Sequence, residues 1–200
     1  MTNADTDGPA PGLDELAERA VAGLVAAGRT VAVAESLTGG GVAALLTGVP
    51  GASGAFRGGI VAYATDLKAD LLGVDRDLLR RRGAVDPEVA LEMARGVRDR
   101  LGADLGLATT GVAGPAAQDG QPPGTVHVCV AWRDGSSVRS AHLAGPRRAV
   151  RESAAGLALT ALLDRIAAEK ADIVRNNRPG SHVGTGDGND EEDAVGGVLG

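Results

Sequence analysis

Residues Thr30–Gly41 read TVAVAESLTGGG, and the fold is decided here. Thr30–Ala34 is a short β-branched run of the kind that forms a buried strand. Three glycines follow, Gly39, Gly40 and Gly41, and open a helix predicted over Thr38–Thr47. A strand that feeds a helix through a glycine-rich turn is the opening of an α/β sheet, whose sites gather at the carboxyl ends of the strands. Glu35, Ser36 and Thr38 lie in that turn. A hydroxyl beside a helix N-terminus has two readings. It caps the helix, or it is a nucleophile whose developing charge is met by the free amides of Gly39 and Gly40.

Outward from this stretch, apolar residues from Leu13 to Ala27 recur at helical spacing, and Gly28 stops them. Downstream, strands are expected at Ile60–Tyr63 and Leu105–Thr109. Thr125–Trp132 and Val138–Leu143 form a further pair about an Asp134-Gly135 turn. Helices are expected at Asp66–Leu72, Asp77–Arg82, Pro87–Leu101 and Arg147–Ala168. Helices between the early strands favour a parallel core, and the hairpin adds an antiparallel strand. The expected architecture is one three-layer α/β/α sandwich about a mixed, mostly parallel five-stranded sheet. Residues 13–170 form the domain, 1–12 a disordered arm and 171–200 a disordered acidic tail.

Composition narrows the function. Hydrophobic residues make up 44% and aromatics only 2%, so the core is built from small and aliphatic side chains. Residues 181–200 hold five acids and no Lys or Arg, which leaves about −1 of the formal −6 for the rest. A nearly neutral body does not fit a nucleic-acid binder. There is no apolar run of membrane-spanning length and no signal-peptide pattern. The single cysteine, Cys129, excludes an intrachain disulfide. The expected location is the cytoplasm. Neither a P-loop nor a dinucleotide-binding fingerprint occurs, and no metal-ligand spacing appears, so no cofactor and no metal are expected. Three histidines are scattered through the chain. A Ser–His–Asp triad through His127 or His142 stays open at this point, although neither falls in a loop.

Three further stretches carry chemistry-bearing residues at strand ends. Tyr63 closes the second expected strand, and Lys68 falls in the next helix. A lysine whose pKa is lowered by burial serves as a general base, so a Ser–Lys pair needs no histidine. Thr110 and Gly111 open a small-residue loop in which a ligand can approach the backbone. Arg147 starts the last helix, where it suits a phosphate or carboxylate. In isolation each also reads as a capping residue, a surface charge or an ordinary loop.

Together these segments resemble the CinA C-terminal family, which includes stand-alone nicotinamide mononucleotide amidohydrolases. The markers are AESLTGG at Ala34–Gly40 and the run from Gly51 to Lys68 with Ser53, Phe56, Gly58, Gly59 and Tyr63. Leu71–Val74, Gly83–Val85, TGVAGP at Thr110–Pro115 and PGTV at Pro123–Val126 complete the set. The resemblance implies deamidation of nicotinamide mononucleotide to nicotinate mononucleotide and ammonia. It implies Ser36 as nucleophile, Lys68 as general base, and Tyr63 bridging or orienting them. Thr38, Gly39, Gly40, Ser53, Thr110, Gly111 and Arg147 would bind the substrate. It also implies a nucleotide as the small-molecule partner and a homodimer or larger homo-oligomer. The sequence departs from the common pattern at Thr65, at Ala116-Ala117-Gln118 and at Pro146, all near the expected substrate region. Two other readings keep part of this picture: hydrolysis of a different small amide, and a non-catalytic nucleotide- or protein-binding module linked to competence or DNA damage.

Overall fold

The computed structural model describes residues 11–176, and the expected arm and acidic tail fall largely outside that span. Helix α1 (Leu13–Ala27) leads into β1 (Val31–Glu35), all five residues of which are buried. Strand β1 lies between β2 (Phe56–Val61) and β3 (Leu105–Gly111) and is parallel to both. Beyond β3 come β4 (Thr125–Trp132) and β5 (Gly135–His142), each antiparallel to its neighbour, giving the order β2-β1-β3-β4-β5. Two of the four pairings are thus parallel, and only β4 runs against the other strands. The sheet is the expected mixed five-stranded one.

The remaining helices are α2 (Gly41–Thr47), α3 (Thr65–Leu72), α4 (Arg76–Arg82), α5 (Pro87–Leu101) and α6 (Arg147–Asn176). One apolar cluster joins Leu24 of α1, Leu46 of α2 and Leu159 and Leu162 of α6 to Val31, Val33 and Leu107 of the sheet. A second joins Leu72, Leu78, Met93 and Val97 of α3–α5 to Ala32, Ala34 and Cys129. The clusters lie on opposite faces, which makes the three layers. Each fully buried Leu contributes about 2 kcal/mol. Backbones approach closely on the α5 side. A Cβ at Gly96 would stand 1.8 Å from the Leu72 carbonyl oxygen, and one at Gly106 1.9 Å from that of Ala94. Glycine is the residue that permits both contacts.

Element ends depart from expectation by three or more residues in four places, and β3 runs two residues past its expected end at Thr109, so Thr110 and Gly111 belong to the strand and do not open a loop. Strand β2 spans Phe56–Val61, not Ile60–Tyr63, because it is an edge strand of alternating exposure whose Arg57-Gly58-Gly59 shows no apolar run. Helix α2 begins at Gly41, not Thr38, because Gly39 and Gly40 hold φ of 61° and 93° and cannot continue a right-handed helix. Strand β5 starts at Gly135, directly after a two-residue turn at Arg133-Asp134. Helix α6 runs on to Asn176 where Ala168 was the expected end. No Gly or Pro interrupts AEKADIVRN, so nothing stops it.

Candidate active site

Strand alternation sorts the residues at the end of β1. Val31 and Val33 face the α1–α2–α6 layer, and Ala32 and Ala34 face α3–α5. Glu35 continues the first set. Its buried carboxylate accepts hydrogen bonds from the amides of Gly40, Val42 and Ala43 at 2.9, 3.1 and 2.8 Å. The opening of α2 is therefore capped by Glu35, not by Ser36 or Thr38. Ser36 continues the second set, its amide still in the ladder through the Thr109 carbonyl at 3.0 Å.

Lys68 meets Ser36 from the first turn of α3. Its Nζ donates to Ser36 Oγ at 3.1 Å, to the Ala62 carbonyl at 2.9 Å and to the Tyr63 carbonyl at 3.4 Å. The side chain is only 1% exposed, and no carboxylate forms a salt bridge with it among the described residues. Burial pushes the ammonium pKa down to about 8, while the negative charges of Asp119 and Asp66 pull it back upward. Ser36 opens onto a cleft of about 300 Å³, which is also lined by Tyr63, Gly111, Ala113, Gly114 and Arg147. That volume suits a small ligand. A serine oxygen 3.1 Å from a lysine easily brought to its neutral form can lose its proton to that lysine.

The other expected residues divide. Gly111 and Arg147 line the same cleft. Arg147 donates to the Gly114 carbonyl at 2.9 Å and to the Tyr63 hydroxyl at 2.8 Å, which draws the phenol to the cleft mouth. Tyr63 is 58% exposed and touches Lys68 only through its carbonyl, so its hydroxyl does not bridge Ser36 and Lys68. Thr38 lies on the other face, its hydroxyl 2.7 Å from that of Thr109. Thr110 donates its hydroxyl to the Ala84 carbonyl at 2.6 Å. Ser53 sits in the turn Ala52–Gly54 ahead of β2, at the opposite end of the sheet from Ser36.

The amides of Gly39, Gly40 and Gly41 are all committed, to Ser36 O, Glu35 and Thr38 O respectively. They are not free to meet an oxyanion, as the sequence led one to expect. In the cleft lining, the amides of Leu37, Ala113 and Gly114 donate no hydrogen bond among the described residues. His127 pairs through Nδ1 with Ser140 of β5 at 2.8 Å, and burial lowers its pKa. Neither it nor His142, at the end of β5, makes a hydrogen bond to Ser36 among the described residues, so the triad alternative has no support in the geometry. Among the described residues no group of three or more His, Cys, Asp or Glu is placed to hold a metal.

Three functional-looking residues escaped the sequence reading. Glu35 carried a signal, since an acid in an otherwise apolar strand ahead of a helix invites a capping role. Arg151 carried a weak one, four residues after Arg147 on the same helix face. Its Nε donates to the Leu37 carbonyl at 2.9 Å and its Nη2 to that of Thr38 at 2.7 Å. Asp119 carried none. It accepts from the Ala84 amide at 2.7 Å out of an irregular loop and acts on Lys68 only through space.

Residues 13–166 match the family model described as the CinA C-terminal domain. A CinA-like protein of Frankia casuarinae is 55% identical over 149 residues, covering 74% of this chain and 34% of that protein. A CinA-like protein of Geobacter sulfurreducens is 48% identical over 140 residues, with 70% and 34% covered. The chain thus spans about a third of the length of these curated relatives. Among solved structures, a CinA superfamily protein of Klebsiella pneumoniae superposes with a TM-score of 0.77 at 31% identity, covering 79% of this chain and 99% of that one. The competence/damage inducible protein CihA of Agrobacterium tumefaciens gives 0.73 at 35% identity, with 82% and 99% covered.

Proposed function

The chain belongs to the CinA C-terminal domain family, and from that premise we propose that it is a serine–lysine amidohydrolase that deamidates nicotinamide mononucleotide. The observation that carries the reading is the buried contact between Ser36 Oγ and Lys68 Nζ at the edge of a small cleft. An amide needs a strong nucleophile, a stabilised oxyanion and a proton for the departing nitrogen. Neutral Lys68 takes the Ser36 proton as the oxygen bonds to the amide carbon. The tetrahedral oxyanion is held by cleft amides, for which Leu37, Ala113 and Gly114 are the candidates. The Lys68 ammonium then returns the proton to the nitrogen as the C–N bond breaks and ammonia leaves. Water, deprotonated by the same lysine, cleaves the ester to nicotinate mononucleotide and restores Ser36. Arg147, exposed at the cleft mouth, is the cation that suits the 5′-phosphate.

The test is ammonia release by the purified protein in the presence of a chelator, with nicotinamide mononucleotide, nicotinamide and glutamine compared side by side. The reading predicts turnover of the nucleotide, little of the others, and no effect of chelator. Arg147→Ala should raise KM about tenfold or more for the nucleotide and much less for the free amides, since they lack the phosphate. Faster release from glutamine or free nicotinamide would keep the serine–lysine chemistry and overturn the substrate. Tight retention of nucleotide with no turnover would favour a binding module instead.

A further inference from the structure

The turn that carries Ser36 is gripped from two sides by opposite charges. On one side the Glu35 carboxylate holds the amides of Gly40, Val42 and Ala43. On the other, Arg151 reaches from α6 and holds the carbonyls of Leu37 and Thr38, the two residues that directly follow Ser36. The guanidinium is partly buried against the turn, and Gly39 leaves the room it needs: a Cβ there would stand 3.2 Å from Arg151 Nη2. Glu35 belongs to β1 and would cap α2 whatever the chemistry. Arg151 comes from an element 113 positions away from Thr38 in sequence, and its bonds lock the peptides beside the nucleophile in one orientation.

We infer that Arg151 is a positioning residue that holds the Ser36 turn so that Oγ stays in line with Lys68 and with the cleft; this rests on the serine–lysine reading above. The planar fork is essential to the role. A guanidinium spans two neighbouring carbonyls at fixed angles, whereas an ammonium on a flexible stem cannot hold both in one plane. Arg147, one helical turn earlier, bridges the Tyr63 hydroxyl and the Gly114 carbonyl. The first two turns of α6 thereby join the nucleophile turn to the wall of the cleft.

The experiment pairs steady-state kinetics with an activity-independent readout: the rate at which a small sulfonyl fluoride labels Ser36, followed by intact mass. A nucleophile displaced by about an ångström loses on the order of a hundredfold in rate. Arg151→Ala should therefore lower kcat about that much, with KM changed by no more than about threefold. Ser36 labelling should slow in parallel, and the pH at half-maximal rate should not move, because Lys68 is untouched. Added guanidinium ion at low millimolar concentration should restore part of both rates in Arg151→Ala and none in the wild type. Arg151→Lys should fall between, and it carries the test through the same readouts if the alanine variant does not fold. Wild-type kcat and labelling in folded Arg151→Ala would overturn the role, as would loss without guanidinium rescue together with full activity in Arg151→Lys. No turnover of nicotinamide mononucleotide by the wild type, with labelling that still depends on Arg151, would overturn the substrate reading and support the positioning role.

Discussion

The two ends of the sheet handle charge in opposite ways. At the amino end of β1 and β3 lies a cleft of about 460 Å³, larger than the one at Ser36 and lined by Arg29, Arg98, Asp104, Trp132, Arg165 and Glu169. There charge is paired off. Arg29 bonds Glu169 and lies beside Asp104, Arg98 meets Asp99 and the Trp132 carbonyl, and Arg165 stacks 4.1 Å from the Trp132 ring centre. At the carboxyl end Lys68 is buried against a hydroxyl and two carbonyls, with no carboxylate in contact. A paired charge keeps its protonation state and ties elements together. A charge buried without a partner changes its protonation easily, which is what a general base requires. The larger cleft is therefore the less promising place for chemistry.

Removing the two partners at the carboxyl end breaks the comparison most sharply. Ser36→Ala and Lys68→Met should each lower ammonia release by about 10⁴-fold while the circular dichroism spectrum is retained. Rates within tenfold of wild type would show that this end is as inert as the other. Next in size is Glu35→Ala, which leaves three amides at the start of α2 unpaired. Two of these contacts are only part-buried, so water replaces part of what is lost there; at about 1–3 kcal/mol for a buried group left without its bond, a loss of about 3 kcal/mol is expected in denaturant melts.

The pH dependence sharpens the contrast further. Neutral Lys68 is the active form, so kcat/KM should rise with pH through about 8. Asp119 raises the lysine pKa, so Asp119→Asn should move that limb to lower pH. Stability follows the same group. The lysine pKa is lowered on folding, so between about 8 and 10.5 the unfolded chain holds more protons than the folded one. Stability should rise with pH across that window in the wild type, and this slope should be missing in Lys68→Met. The smallest effect belongs to the amino end. Arg29→Met removes an exposed ion-pair network and should change stability by about 1 kcal/mol or less, with ammonia release unchanged.

Much of this was readable in one dimension. The order of strands and helices follows from apolar spacing and glycine stops, because local pattern is set by near neighbours. Ser36 and Lys68 were legible as a pair because both follow strands that end on the same rim. The edges of β2 and α6 were less so. β2 is half exposed and lacks a pattern, and α6 lacks a stop signal. Thr38 and Thr110 show where residue type misleads. Each is a plausible ligand by chemistry, and each is buried and spends its hydroxyl on a neighbour in the structure.

What the sequence determined alone is the family, the α/β sandwich and the presence of a hydroxyl and an amine at strand ends. Tertiary structure decided that the amine is buried and lacks a carboxylate, that the glycine amides are taken up by Ser36 O, Glu35 and Thr38 O, and that Arg151 grips the nucleophile turn. The physical reason is distance along the chain. Hydrogen bonds between residues 32 or 113 positions apart leave no periodicity to read, and they exist only once the sheet order and the strand faces have been set.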